Sequence, residues 1–342
     1  MMQTLYLGSY TRRESQGIYT LDWNFETGTL DNLNLIIKEG NPTYLGLTDN
    51  NTLVTVTARD NMGGVASYRK DDNGEFKEIN HVLLEGAAPC YVGIDNHRQL
   101  VYGANYHKGE VTVYQIDETG QLTLTDTIQH EGNGPHANQT SAHAHYADLT
   151  PDNRLVVCDL GTDEVYTYDV SSKGKLTEVA RLNVAPGTGP RHIVFHPEGK
   201  VAYILGELAN TLTVVNYDEI TGTFSEITTL STLPSDFDGE SAGGAIRISE
   251  DGRFVYVSNR GHNSVAVYQT QEEGHRVEKI QTIASEGDFP RDFTLSPDNN
   301  WVLVAHQNSD NITLFKRDAE NGRLTLKETD ILAPECVCTY FA

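Results

Sequence analysis

A glycine closing a short polar turn ahead of a β-rich run recurs seven times in this 342-residue chain: Gly28, Gly74, Gly120, Gly174, Gly222, Gly274 and Gly322. Successive copies lie 46, 46, 54, 48, 52 and 48 residues apart. A unit of this length cannot bury a core alone, so copies must stack. A period in the forties to fifties built from short strands is the mark of a propeller. The fifth unit divides into four strands, 191–195, 201–205, 212–217 and 224–229, rich in Val, Ile, Tyr, Thr and Phe and separated by Gly, Pro, Asp and Asn. The turn after the first strand recurs as Thr150-Pro151-Asp152-Asn153, His196-Pro197-Glu198-Gly199, Ser249-Glu250-Asp251-Gly252 and Ser296-Pro297-Asp298-Asn299. Gly or Asn late in such a turn supplies the positive φ that a tight hairpin needs.

Unit openings fall at Pro42, Pro89, Ala144, Pro190, Gly243, Pro290 and Pro334, which makes seven blades. The last opening yields one strand and the chain stops, while the N-terminus starts in mid-unit at residues 4–8. The expectation is an all-β, seven-bladed β-propeller with four antiparallel strands per blade. The C-terminal strand would complete the N-terminal blade and leave no long free edge. No linker or shift in composition interrupts the series, so residues 1–342 read as a single domain. A ring without edges demands no partner, and a monomer is expected.

Bulk composition narrows the function classes. Forty-eight acidic residues against 25 Lys and Arg give a net charge of −23, which repels nucleic acid and anionic membranes. The acids are dispersed and serve solubility. An anionic substrate would therefore need a local basic cluster working against the global field. No apolar run approaches the ~18 residues of a membrane span, and Met1-Met2-Gln3-Thr4 lacks a basic region followed by an apolar stretch. Both point to the cytoplasm. The four cysteines form no framework. Cys336 and Cys338, two apart on one strand, are expected on the same face at a poor distance for bridging, and free buried thiols suit a reducing compartment.

Propeller topology places the chemistry. The loop entering strand one and the loop joining strands two and three share one end of each blade, and in this chain those are the variable segments. The residues after the seven openings are Thr43, Cys90, His145, Arg191, Gly244, Arg291 and Glu335. Strand one is innermost, so these should ring the channel mouth and bring Arg191, Arg291 and His145 into one pocket. His143, two residues before His145, should face the same way if the strand extends that far. Glu207, in the second-to-third loop 206–210, is set beside Arg191 by strand pairing. Asn105, His107, Asp159, Asn259, His262 and His306 are further rim candidates.

Each has a plainer reading. The arginines could tie blades together, and Glu207 could be a fixed structural ion pair. His143 and His145 could form an i, i+2 metal pair, but no matching acid or cysteine ligand is evident, so no metal is expected. His130 and His136, in a Gly-rich loop, read as surface residues. No GxSxG elbow, P-loop or Rossmann fingerprint occurs, which leaves serine-nucleophile and nucleotide-cofactor readings without support.

Several segments together resemble the propeller lactonase family. They are Gly189-Pro190-Arg191-His192-Ile193-Val194-Phe195-His196-Pro197, Ala142-His143-Ala144-His145, Cys158-Asp159-Leu160-Gly161-Thr162-Asp163, Glu207-Leu208-Ala209-Asn210-Thr211 and Phe289-Pro290-Arg291. That family holds propeller-type 6-phosphogluconolactonases and fungal carboxymuconate lactonising enzymes, and the likeness spans the whole chain. It implies a site on the channel face free of metal and cofactor. A His, two Arg and a Glu would carry over to His143 or His145, Arg191, Arg291 and Glu207. The chain departs from the family pattern at Ala142, where proline is frequent, and at Asp292, where a small residue is common. The first departure leaves the acting histidine open; the second bears on how Arg291 holds its ligand.

The activity expected from this resemblance is hydrolysis of a small anionic lactone, 6-phosphogluconolactone foremost. A neutral histidine would serve as base, one arginine would stabilise the oxyanion and the other would clamp the phosphate. Glu207 would orient an arginine or share proton transfer. A lactonising or isomerising enzyme for a muconate-type dicarboxylate is the alternative with the same site. A non-catalytic scaffold is the alternative of another class, though the WD signature is missing and an aromatic or apolar rim would be expected in place of paired arginines.

Overall fold

Runs of β-branched and aromatic residues between glycine turns form 28 strands in the computed structural model, which describes residues 2–341. They assemble into seven four-stranded antiparallel sheets. Blade one contains Cys336–Phe341, Met2–Ser9, Gly17–Asn24 and Thr29–Lys38, in that order from the axis. Its closing seam pairs Leu5 with Phe341, Tyr6 with Tyr340 and Leu7 with Thr339. The inner strands of blades two to seven are Leu45–Leu47, Tyr91–Asp95, Ala144–Leu149, Pro190–Phe195, Ala242–Ile248 and Pro290–Leu295. Each touches the next around the axis, and Cys336–Phe341 touches both Pro290–Leu295 and Leu45–Leu47. The ring is thus closed by the two ends of the chain. Blade five runs Pro190–Phe195, Val201–Gly206, Thr211–Asp218 and Thr223–Ser231, within two residues of the sequence-based limits.

The core lies between blades rather than inside one. Val201, Tyr203 and Leu205 of blade five pack on Ile246, Val255 and Val257 of blade six, and equivalent clusters recur around the ring. Second strands are covered on both faces, which is why Phe254–Arg260 is buried at every position. Outer strands such as Thr223–Ser231 largely face solvent. Six of the seven recurring glycines, all but Gly74, sit at blade joints. Gly322 has φ 71° and its carbonyl accepts a 2.9 Å hydrogen bond from the Tyr256 hydroxyl of the preceding blade. A Cβ there would lie 2.1 Å from the Phe254 ring.

One feature of the inner strands was invisible in the sequence. Each of five registers skips a residue near its start: His145 between Ala144 and Tyr146, Arg191 between Pro190 and His192, Arg291 between Pro290 and Asp292, Val337 opposite the Gly8–Ser9 step, and Gly244 with Ala245 between Gly243 and Ile246. These are β-bulges, in which two residues oppose one and the side-chain alternation shifts phase. Three expectations are corrected by this. Cys336 and Cys338 do not share a face: Cys336 packs with Leu303 and Ala305 of blade seven, Cys338 with Leu45 and Leu53 of blade two. Glu335 is not the seventh residue of the channel ring, because the bulged residue of blade one is Val337. His143 precedes the strand and does not follow His145 in direction. All four cysteines are free thiols. No helix among the described residues is long and apolar enough to cross a membrane.

Candidate active site

A bulged residue has no partner across the ladder, so its side chain turns toward the axis. The bulged His145, Arg191, Arg291 and Val337 meet there with Thr43 and Cys90, which precede the unbulged inner strands of blades two and three, around a constriction of about 10 Å³, room for about one water. The residues that follow Thr43, Cys90, His145 and Arg191 form a second tier. Tyr44, Tyr91 and Tyr146 stack with centroid separations of 4.2 and 4.6 Å, and His192 meets Tyr91 at 5.7 Å and Tyr146 at 5.5 Å. This aromatic tier plugs the channel. Above it opens a cavity of about 500 Å³ lined by Cys90, His145, Glu207, Arg260 and Arg291, with Tyr10, Arg12, Tyr106 and His107 on its walls. At the opposite mouth, beside the first-turn residues Ser296 to Asn299, a separate cavity of about 400 Å³ is lined by Arg247, Thr294 and Tyr340.

Charge is concentrated at the base of the larger cavity. The Glu207 carboxylate lies 2.8 Å from Arg191 Nε and 2.8 Å from Arg260 Nη2. Arg191 also donates from Nη1 to the Gly244 carbonyl, and Arg260 donates to the Gly243 carbonyl at 3.0 Å from Nε and 2.5 Å from Nη2. Both carbonyls belong to the blade-six opening, where the bulge begins after Gly243 and skips Gly244. Burial works to raise the Glu207 pKa, but Arg260, Arg191 and Arg291 outweigh it and hold the carboxyl below its usual range. Burial, reinforced by Arg260, pushes the Arg191 guanidinium down to about 9, still charged at neutral pH. Arg291 is less constrained: its one hydrogen bond among the described residues is 3.3 Å long, to Gln307 Oε1, and it lies 5.5 Å from the Tyr10 ring centroid. Asp292, flagged for its size, turns away to Arg247 at 2.8 Å and to the Thr339 backbone N–H at 2.7 Å.

The two candidate histidines separate. His145 lines the cavity and is 5 % exposed. Its Nδ1 is buried without a hydrogen-bond partner among the described residues. Burial first, then the fields of Arg191, Arg291 and Arg260, hold its pKa well below the ordinary histidine value, so the ring is neutral at pH 7. His143 stacks face to face on Tyr106 at 4.3 Å, and its Nδ1 is 2.6 Å from the Tyr106 carbonyl. Its backbone N–H donates to Asp159 at 2.7 Å. It braces a wall and does not line the cavity. His130, read as a surface residue, is 4 % exposed. It joins Asp159 at 2.7 Å and the Tyr168 hydroxyl at 2.9 Å, because the long loop folds inward under blade four. Among the other rim candidates His107 lines the cavity, whereas Asn105, Asp159, Asn259 and His306 are buried at the ends of second strands. His262 meets the Phe237 ring at 4.5 Å.

Arg260 escaped the sequence reading, yet a signal existed. Strand pairing aligns the residues leaving each second strand as Tyr10, Ala58, Tyr106, Leu160, Glu207, Arg260 and Gln307. This is a second ring of seven, above the first. Comparing second-strand exits, as the openings had been compared, would have set Arg260 beside Glu207. Among the described residues, no group of three or more His, Cys, Asp or Glu is arranged to hold a metal ion.

The cavity therefore offers the guanidiniums of Arg12, Arg260 and Arg291, one carboxylate and a neutral imidazole, with Arg191 beneath them at the constriction, a set suited to an anionic substrate whose carbonyl gains charge. The family model "Lactonase, 7-bladed beta-propeller" matches residues 4–341. The 6-phosphogluconolactonase of Bacillus subtilis is 42% identical over 340 residues, covering 98% of this chain and 97% of that protein. A crystal structure of a Lactobacillus plantarum protein superposes with TM-score 0.98 at 45% identity, covering 100% of both chains. That of the periplasmic gluconolactonase of Pseudomonas aeruginosa gives TM-score 0.93 at 28% identity over 100% of this chain and 99% of that one. The chain belongs to the seven-bladed β-propeller lactonase family.

Proposed function

We propose that this protein hydrolyses a sugar lactone, 6-phosphogluconolactone foremost, in the cavity lined by Glu207, Arg260, Arg291 and His145, with Arg191 at the constriction beneath it. The observation that carries the reading is a concentration of cations, with only Glu207 in opposition, inside a chain of net charge −23. A phosphorylated lactone supplies the matching anion, and the Bacillus subtilis relative bears that substrate's name.

The chemistry assigns each group a task. Neutral His145 accepts a proton from water as the water oxygen bonds to the lactone carbonyl carbon. The carbonyl becomes an oxyanion, stabilised by a fixed guanidinium; Arg191, oriented by Glu207 and the Gly244 carbonyl, suits this because its donors need no reorganisation. The ring C–O bond then breaks and the leaving alkoxide takes the proton back from His145. The cationic surroundings make that imidazolium a willing donor, at the expense of its strength as a base. Glu207, held ionised by its arginines, positions them and is not a proton carrier. Arg291, which has no carboxylate in direct ion-pair contact among the described residues, is the clamp for the substrate's anionic group. We assign the enzyme to a reducing compartment, the cytoplasm, on its four unpaired cysteine thiols, and read the closed ring as a monomer.

Purified protein assayed on 6-phosphogluconolactone, with a muconate-type dicarboxylate in parallel, tests the proposal. Turnover of the lactone is expected, and Arg191→Ala and Arg291→Ala should each lower kcat/KM by about 10²-fold or more, the size expected for losing a transition-state donor. Full activity in both variants would remove the site assignment, and turnover of the dicarboxylate alone would move the enzyme to the lactonising branch.

A further inference from the structure

The second-to-third loop of blade one carries two adjacent arginines whose surroundings differ. Arg13 is engaged: Nη2 meets Asp310 Oδ1 at 2.7 Å and the Gln307 carbonyl at 2.9 Å. Arg12 lines the large cavity. Its guanidinium has no ion-pair or hydrogen-bond partner among the described residues and rests 3.8 Å from the Tyr10 ring centroid. Arg291 occupies the same ring at 5.5 Å and likewise has no carboxylate. Two cations sharing one aromatic ring repel one another, and an anion between them would turn repulsion into attraction. In this chain an idle pair of this kind is conspicuous, since acids outnumber Lys and Arg by 48 to 25.

The loop is also built to hold Arg12 in place. Glu335, 2 % exposed, accepts hydrogen bonds from the backbone N–H of Arg12 at 3.0 Å, Arg13 at 2.8 Å and Ser15 at 3.1 Å. Thr11 N–H donates to Asn41 at 3.0 Å. A buried carboxylate satisfied by three backbone donors fixes a loop that would otherwise be mobile, so Arg12 overhangs the cavity from a rigid base. Arg191 and Arg260, by contrast, are already neutralised in part by Glu207.

We propose that Arg12 is a specificity-determining residue: together with Arg291 across the Tyr10 ring, it seats the phosphate of a phosphorylated sugar lactone and discriminates against the unphosphorylated lactone. This rests on the lactonase reading for its reaction, and the test separates the two. Wild-type protein, Arg12→Ala and Arg13→Ala are assayed on 6-phosphogluconolactone and on glucono-1,5-lactone. Calorimetry with the products 6-phosphogluconate and gluconate measures affinity independently of turnover. The wild type should favour the phosphorylated partner in both measurements. Arg12→Ala should lower the ratio of kcat/KM values at least tenfold, chiefly through KM, and the ratio of affinities to a similar degree, while Arg13→Ala leaves both ratios unchanged. The proposal is overturned if the wild type binds the two products equally, if Arg12→Ala leaves the ratios intact, or if Arg13→Ala lowers them as much. Should the wild type hydrolyse neither lactone, the lactonase reading fails on its own, and the affinity ratio alone decides whether the phosphate seat exists.

Discussion

At the scale of single residues, the site depends on one neutral imidazole among guanidiniums. His145 has lost water and faces Arg191, Arg260 and Arg291, and all of these disfavour its protonated form. An unperturbed histidine base would lose half its activity near pH 6.5. Here the acidic limb of kcat/KM should lie well below that, with activity level from pH 7 to 6. His145→Gln should cost about 10²–10⁴-fold, the range for a general base. His143→Gln should cost less, because His143 acts through Tyr106. A pH–rate profile with an inflection near 6.5, or a His143→Gln loss equal to that of His145→Gln, would reverse these roles. Which histidine faces the cavity could not be read from spacing, since both lie in a segment where the register between strands decides direction.

Elements show where sequence reading succeeds and where it stops. The glycine turns were legible because a positive φ is a local requirement that the residue type itself announces. The bulges were not, because a bulge is a mismatch between two strands and no single strand records it. The same blind spot misplaced Cys338 relative to Cys336 and His143 relative to His145. The glycines allow a graded test. At Gly74, φ is 80° with nothing within 4 Å of an added Cβ, while at Gly322, φ is 71° and the Cβ would meet the buried Phe254 ring at 2.1 Å. Gly74→Ala should cost only the left-handed backbone penalty, about 1–2 kcal/mol. Gly322→Ala should cost roughly 2 kcal/mol more, since overpacking a core adds about 1–3 kcal/mol. Denaturant midpoints of the two variants give the comparison. Equal losses would mean that the joint between blades six and seven yields more readily than its packing indicates.

Across the whole molecule, burial of titratable groups couples the ring to pH. His145, His192 and His306 all have depressed pKa values, with burial the leading cause in each case, and His306 is brought to about 4. The unfolded chain binds protons at these histidines near pH 6.5 while the folded ring does not, so stability is full above that value and declines as pH falls toward 4. For His306 alone the loss between pH 7.5 and pH 5 is about 2 kcal/mol. Unfolding free energies at the two pH values should show a decline in the wild type that is smaller in His306→Leu by about 1–2 kcal/mol. Identical declines would show that His306 takes no part.

Seven blades, closure by the terminal strand, and a concentration of arginine and histidine at one end of the channel are properties of the chain's repeat, since each follows from local turn chemistry copied at a fixed period. The separation of His145 from His143, the enlistment of Arg260 by Glu207, the replacement of Glu335 by Val337 in the inner ring and the use of Glu335 to anchor the Arg12 loop belong to the tertiary structure. Each depends on which residues of different strands and blades come to lie opposite one another. Strand register and blade-to-blade packing set those juxtapositions, and neither is written in any one segment of the sequence.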